Sequence, residues 1–139
     1  MKTSARNVFF GQISALRHSG ILTEVTVQTQ TGLSLLAIIT AESFRALDLA
    51  EDKSVVATVK APWVMLAKSE ELEVGSNIFG GVVVSVQDSD VATEVVTRLE
   101  DGTLMCALVS TESIKGMQLA EGNQVHVMFK AFSVILSAE

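Results

Sequence analysis

The sequence is short of the residues on which most catalytic and metal centres depend. Its 139 residues include one cysteine, two histidines and no tyrosine. The single Cys106 excludes an internal disulfide, while His18 and His126 fall in a predicted turn and a predicted strand, with nothing to bring them together. Phosphate-binding loops, dinucleotide motifs, zinc spacings and the GxSxG motif are missing from the sequence. We therefore predict no enzymatic activity and no metal cation site, and we interpret the histidines as exposed polar residues.

Aromatic residues and positive charge are also scarce. Aromatic side chains make up 5% of the chain and the net charge is −6, which argues against a nucleic-acid partner because nucleic acids favour basic faces and stacking platforms. A small anion is not excluded, since locally placed donors matter more than net charge. No apolar run reaches the roughly 20 residues of a membrane-spanning helix, and the first seven residues lack the apolar region of a secretory signal. These features predict a cytoplasmic protein without a membrane partner.

What the sequence does contain is an internal repeat. Residues 7–66 align with residues 77–136 without a gap, and such self-similarity indicates a tandem duplication. The matched residues include Asn7 with Asn77, Gly11 with Gly81, Glu42 with Glu112, and Lys60 with Lys130. We predict a first domain at residues 1–68 and a second at residues 69–139, with a charged linker at about 68–74.

Each unit, at about 65 residues, is close to the lower size limit of a self-sustaining core. Yet 48% of the residues are hydrophobic, and the mean hydropathy is +0.42. Two small domains have much surface for their volume, so we expect the halves to pack against each other or against other subunits. A well-filled β core is the alternative explanation.

Alternating and short apolar runs predict five strands and one short helix in each unit. The first unit has predicted strands near residues 8–16, 22–29, 33–39, 55–60 and 63–67, and the second near residues 78–86, 92–99, 104–109, 125–129 and 133–136. Thr40 and Ser110 are suitable N-caps for helices near residues 41–48 and 111–118. This layout predicts an all-β fold with short helices, consisting of two tandem five-stranded barrels of the OB type. An SH3-like barrel is the alternative.

Hydrogen-bond donors recur beside the predicted strand ends. In the first unit they are Ser4, Arg6 and Asn7 before the first strand, Thr40 and Ser43 at the helix start, and Lys60 and Ala61 after the fourth strand. A helix start favours anions, and arginine, lysine, hydroxyl and backbone N–H donors are the groups that a tetrahedral oxyanion needs. Each residue alone has a simpler interpretation, as a helix cap, an ion-pair partner or a solvated lysine. The recurrence of Lys-Ala and of hydroxyl-x-Glu-Ser in both units favours an anion site.

Three segments resemble the Mop family of molybdate-binding proteins, the molbindins. They are Ser4-Ala5-Arg6-Asn7-Val8-Phe9, Ile39-Thr40-Ala41-Glu42-Ser43 and Val59-Lys60-Ala61-Pro62-Trp63-Val64. The tandem arrangement is similar to that of the two-domain molbindins. The resemblance implies binding of molybdate and tungstate, no covalent cofactor, a homotrimer of tandem chains, and sites at subunit and domain interfaces. It implies oxyanion-binding roles for Ser4, Arg6, Asn7, Thr40, Ser43, Lys60, Ala61, Ser110, Ser113, Lys130 and Ala131.

The second unit departs from this pattern. Val74-Gly75-Ser76-Asn77 stands where the first unit has Ser4-Ala5-Arg6-Asn7, so the arginine is lost, and Phe132 follows the second Lys-Ala. A hydrogen bond to a charged group contributes roughly 1.5–3 kcal/mol, so we expect sites that rely on this second copy to be weakened or empty.

The resulting hypothesis is an intracellular protein that stores molybdate and catalyses no reaction. One alternative is an oxyanion-sensing module that acts through a partner protein. Another is an OB module for oligonucleotides, which the acidic composition and the few aromatic residues disfavour.

Overall fold

The computed structural model describes residues 4–68 and 76–138, which form two five-stranded antiparallel sheets. The first half contains β1 (Asn7–Ser19), β2 (Leu22–Thr29), β3 (Ser34–Thr40), α1 (Ala41–Ala46), β4 (Ser54–Val59), a 3₁₀ turn η1 (Ala61–Trp63) and β5 (Met65–Ala67). The second contains β6 (Ser76–Asp88), β7 (Ala92–Leu99), β8 (Leu104–Ser110), α2 (Thr111–Ile114), η2 (Lys115–Met117), β9 (Gln124–Lys130), η3 (Ala131–Ser133) and β10 (Ile135–Ala138). The predicted all-β class with two five-stranded units and short helices is confirmed. Apart from Lys68, the predicted linker lies outside the described residues.

The first strand of each half is longer than predicted. β1 continues to Ser19 because Arg17, His18 and Ser19 pair with Glu24, Thr23 and Leu22 of β2. These polar residues give no apolar signal, which is why the sequence suggested a turn there. Both helices are shorter than predicted: α1 ends at Ala46, and α2 ends at Ile114 and continues as a 3₁₀ turn.

Gly11 occupies β1 because two backbones approach each other closely. A Cβ atom at this position would lie 2.4 Å from the Gln28 carbonyl oxygen of β2. The β-bulge of this strand lies further along, between Ile13 and Ala15. Gly81 repeats the arrangement in β6, where a Cβ would lie 2.6 Å from the Arg98 carbonyl oxygen.

The fifth strand of each sequence repeat pairs with the sheet of the other half. The strand orders are β10-β4-β1-β2-β3 and β5-β9-β6-β7-β8, with Leu136 opposite Ala57 and Leu66 opposite Val127. Two five-stranded units are present, but a boundary at residue 68 does not separate the two sheets. The reason lies in η1 and η3, which interrupt the chain after β4 and β9 and direct it across to the other half.

The two halves share one hydrophobic core. A single buried cluster combines Phe9, Ile13, Leu35, Val59 and Val64 with Leu99, Met105, Val127, Phe129 and Leu136. A smaller cluster lies within the second half, around Val83 and Val95. The expectation that the halves pack against each other is therefore confirmed, and burial of apolar area provides the main stabilisation of this arrangement.

Two buried asparagines also join the halves. The Asn7 side chain donates to the Cys106 carbonyl oxygen (2.9 Å) and accepts from the Cys106 backbone N–H (2.8 Å). Asn77 makes the same two bonds with Leu36, at 2.8 and 2.7 Å. Leu36 and Cys106 lie on β3 and β8, the edge strands of the two sheets. Each asparagine therefore satisfies edge-strand peptide groups as a neighbouring strand would, and the contacts follow the symmetry of the repeat.

Candidate functional site

Four of the predicted site residues line one cleft between the two halves. This cleft, which we call the Arg6 cleft, has a volume of about 290 Å³ and is lined by Ser4, Arg6, Lys60, Ala61, Pro62, Glu94 and Leu108. Ser4 and Arg6 precede β1, the next three residues follow β4, and the last two belong to β7 and β8. The first half thus contributes the predicted donors, and the second half contributes the facing wall.

The turn after β4 shapes one side of the Arg6 cleft. Lys60 is extended and precedes η1, and Pro62 is the second residue of that turn. Ala61 is buried and begins the turn, so its N–H has no acceptor within the turn itself. The Lys60 ammonium lies 5.4 Å from the centroid of the Trp63 ring, at a distance that permits a cation–π interaction. The turn therefore combines a lysine with a backbone donor.

An ion pair crosses the Arg6 cleft from one half to the other. The Arg6 Nη1 atom lies 3.0 Å from Glu94 Oε2, and the two side chains are 54% and 30% exposed. The hydrogen bond to Glu94, together with the negative charge of its carboxylate, raises the pKa of Arg6. Burial raises the pKa of the Cys106 thiol, which therefore stays neutral. Sequence reasoning missed Glu94, although its segment, Thr-Glu-Val, recurs in both repeats.

Thr40 and Ser43 lie in a different cleft. Its volume is about 560 Å³, and most of its lining is apolar, including Ile38, Phe132 and Ile135. Thr40 caps α1 as predicted: its Oγ1 accepts from the Ser43 backbone N–H at 3.0 Å and donates to Ser43 Oγ at 2.9 Å. This Thr40 cleft and the Arg6 cleft share no lining residue, so one chain does not bring all first-half donors together.

The predicted second-half residues line neither of these two clefts. Ser110 caps α2, accepting from the Ser113 N–H at 3.1 Å, and Ser113 Oγ donates to the Ser110 carbonyl at 2.9 Å. Ser110 follows Leu108 by two residues on β8, so its side chain points to the same face as the cleft wall. Lys130 ends β9 and is exposed, whereas Ala131 begins η3 and is buried.

Asn7 has a different role from the one expected, and Ser76 marks the position where the second repeat lacks an arginine. Asn7 is 2% exposed, and its amide donates to the Val59 and Cys106 carbonyl oxygens at 3.2 and 2.9 Å. Both amide hydrogens are engaged, so the expectation that Asn7 contacts an oxyanion directly is corrected to a structural role. Ser76, at the position of Arg6 in the second repeat, has a buried hydroxyl without a partner among the described residues.

The histidines lie apart from the Arg6 cleft. His18 is exposed, with Nδ1 3.0 Å from Thr23 Oγ1 and its ring edge-on to Phe44. His126 is half-buried and lines a separate groove of about 430 Å³ beside Gly80 and Arg98. Within residues 4–68 and 76–138, no group of three or more His, Cys, Asp or Glu side chains could hold a metal ion. No helix in the same ranges is long and apolar enough to span a bilayer.

Comparison with known families identifies both repeats. The model of the TOBE domain matches residues 3–66 and again residues 74–136. The two matches follow the sequence repeat rather than the sheets. Each match runs past β4 or β9 into the fifth strand of its repeat, which pairs with the sheet of the other half.

Among curated proteins, the molybdenum transport protein ModE of Azotobacter vinelandii is 36% identical over 138 residues, which are 99% of this chain and 51% of that protein. The DNA-binding transcriptional dual regulator ModE of Escherichia coli K12 is 34% identical over 139 residues, covering 99% of this chain and 52% of the regulator. The chain therefore spans about half the length of these relatives.

Among solved structures, a crystal structure of the cytoplasmic molybdate-binding protein ModG with molybdate bound superimposes with a TM-score of 0.94. The two sequences are 38% identical, and the match covers 100% of both chains. The fold in which β5 and β10 each pair with the sheet of the other half therefore matches a solved protein along its whole length.

Proposed function

Because this chain belongs to the TOBE domain family, as a tandem molbindin of the Mop type, we propose that it binds molybdate and tungstate reversibly and catalyses no reaction. One observation carries the proposal: Ser4, Arg6, Lys60 and Ala61 line a common cleft. The similarity to ModG, whose crystal structure is described with molybdate bound, supports the same ligand class.

The proposed mechanism is capture of a tetrahedral dianion by donors of the Arg6 cleft. Arg6 and Lys60 supply positive charge, Ser4 supplies a hydroxyl, and Ala61 supplies a backbone N–H. Hydrogen bonds to charged groups contribute roughly 1.5–3 kcal/mol each, so a few such donors suffice for tight binding. Sulfate is also a tetrahedral dianion, and we propose that the size of the completed cavity discriminates between the two ligands.

We propose further that a second copy of the chain completes the site in a homotrimer. Two observations support this step. Thr40 and Ser43 lie in a cleft separate from Arg6, so another chain must supply such hydroxyls if they bind the same ion. Exposed apolar side chains also flank both clefts, with Trp63 and Leu108 42% and 39% exposed beside one, and Phe132 64% exposed in the other. Apolar patches of this kind mark interaction surfaces.

Storage of the oxyanion in the cytoplasm is the role that we favour. The ModG protein, which matches this chain from end to end, is described as cytoplasmic. The alternative is an oxyanion-sensing module that acts through a partner. It is favoured by the two ModE proteins, in which a segment equivalent to this chain makes up about half of a longer protein.

Native mass spectrometry with molybdate, and with sulfate as the control, tests the proposal. We expect a trimer that gains several molybdate ions and no sulfate. A chain that stays monomeric and binds neither anion would refute both ligand and assembly. If the sensing alternative holds, a protein partner will bind the chain with an affinity that changes when molybdate is added.

A further inference from the structure

We propose that Glu94 is an internal competitor of the oxyanion: its carboxylate holds Arg6 in the empty cleft, and the entering dianion must displace it. The proposal rests on the function proposed above for the Arg6 cleft and adds a residue that sets its affinity.

The geometry places the carboxylate where it competes for a ligand donor. Glu94 lines the same cleft as Lys60 and Ala61, and its Oε2 atom lies 3.0 Å from Arg6 Nη1. An ionised carboxylate only accepts hydrogen bonds, so towards Arg6 it acts as an oxyanion does. A dianion in the same cleft would be repelled by Glu94 while both compete for one guanidinium. The Glu94 side chain is 30% exposed, which leaves it a path into solvent when Arg6 turns to the ligand.

The repeat supplies an internal comparison. Glu24 is the equivalent of Glu94 in the first half, but it pairs with Arg17 on the neighbouring strand, with Arg17 Nε 2.7 Å from Glu24 Oε2. In the second half, the residue opposite Glu94 on the neighbouring strand is Gln87 rather than an arginine. Glu94 therefore has no arginine opposite it on β6, and its carboxylate bonds with Arg6 of the other half. Two equivalent glutamates thus have different partners, and only Glu94 faces the proposed donors.

The replacement of Glu94 by glutamine therefore has a defined consequence. The amide keeps the size of the side chain but removes the charge that attracts Arg6 and repels the ligand. An exposed ion pair contributes modestly to the binding equilibrium, and the loss of repulsion between Glu94 and the ligand adds to this effect. We expect the Kd for molybdate to fall about 3- to 10-fold in Glu94→Gln.

Isothermal titration of the full chain with sodium molybdate tests this inference, with Glu24→Gln as the matched control. Glu24→Gln removes an equivalent charge outside the cleft and should leave the Kd within about twofold of wild type, since screened surface charges contribute little. A Kd in Glu94→Gln that equals or exceeds that of wild type would overturn the proposal, because Glu94 would then be neutral or would position Arg6 for binding. Absence of binding by the wild-type chain would instead refute the proposed function.

A double-mutant cycle shows whether Glu94 changes the affinity for molybdate by holding Arg6. In an Arg6→Ala background, Glu94 has no guanidinium to hold, so the gain from Glu94→Gln should shrink to less than about twofold. An undiminished gain in that background would show that Glu94 acts by direct repulsion and would overturn the competition for Arg6. Thermal unfolding and native mass of each variant show whether the fold and assembly are unchanged.

Discussion

Replacing Asn7 by alanine separates a structural role from a ligand-binding role at this position. Its side chain makes three hydrogen bonds: two with the Cys106 peptide groups, at 2.9 and 2.8 Å, and one with the Val59 carbonyl, at 3.2 Å. The residue is 2% exposed. Truncation therefore removes the side chain that satisfies the buried Cys106 N–H and carbonyl groups on the edge strand β8, and it also removes one bond to the Val59 carbonyl, in the region where the two halves meet.

The expected cost follows from these contacts. A typical hydrogen bond contributes about 1 kcal/mol net, and each buried group left unpaired costs about 1–3 kcal/mol. Water that enters the space left by the side chain will bond with some of the unpaired Cys106 groups and so reduce this cost. We therefore expect Asn7→Ala to lower the free energy of unfolding by about 2–4 kcal/mol. For a chain of this size, that corresponds to a fall in Tm of roughly 6–15 °C.

Thermal and urea unfolding followed by circular dichroism measure the effect, at one fixed protein concentration because association shifts the apparent stability. Asn123→Ala is the control: Asn123 accepts a single exposed bond from the Ala120 N–H at 2.9 Å, so its loss should cost less than about 1 kcal/mol. Equal stability of Asn7→Ala and wild type, combined with a loss of molybdate binding, would refute the structural role. It would return Asn7 to the set of ligand donors.

Three further perturbations test other parts of the molecule. Arg6→Ala should raise the Kd for molybdate about 10- to 100-fold, because it removes a charged donor; unchanged binding in equilibrium dialysis would exclude Arg6 from the site. Burial acts to raise the pKa of Asp101, but hydrogen bonds from Thr103 and Thr31 outweigh it and hold that pKa below its ordinary value. The ionised Asp101 therefore stabilises the folded state above the ordinary carboxyl pKa, and this stabilisation is lost as the pH falls through the lower, folded-state pKa. In urea unfolding between pH 3 and 7, the unfolding free energy of Asp101→Asn should depend less on pH than that of wild type. Parallel plots of unfolding free energy against pH for the two proteins would contradict this. Gly11→Ala should lower the free energy of unfolding by about 1–3 kcal/mol, because the added Cβ would meet the Gln28 carbonyl at 2.4 Å. Gly80→Ala is the control and should be tolerated, because the atoms nearest to its Cβ lie at 3.8 Å. Equal thermal stability of the two variants would argue against the close approach at Gly11.

The repeat, the strands and the helix caps were predictable because they depend on local pattern. β2 and β7 begin and end where the alternation of apolar residues begins and ends. Thr40 and Ser110 cap their helices through side-chain oxygen atoms, as their residue types suggest. Each of these features involves residues a few positions apart, so the sequence carries the whole signal.

The exchanged strands and the cross-half contacts were not predictable in this way. Residues 65–67 are all apolar and all half-buried, so their pattern does not reveal which sheet they join. Glu94 lies 88 positions from Arg6, and Asn7 lies 99 positions from Cys106. Asn7 and Arg6 are adjacent in the sequence, but Asn7 begins β1 whereas Arg6 precedes it, and their side chains have different partners, Cys106 and Glu94. One points into the interface core and the other into the cleft.

The Arg6 cleft is a property of the duplicated chain and not of either repeat. Its donors precede β1 and follow β4, but its opposite wall is formed by Glu94 and Leu108 of the second half. The sheet that carries those donors is completed by β10 from the end of the chain, and its β1 is tied to β8 through Asn7. A single repeat would lack the fifth strand of its sheet, the partner of its buried asparagine and the wall of its cleft. Divergence of the second copy, in which Ser76 and Gln87 replace the equivalents of Arg6 and Arg17, therefore changes the first-half cleft as well, because it leaves Glu94 to pair with Arg6.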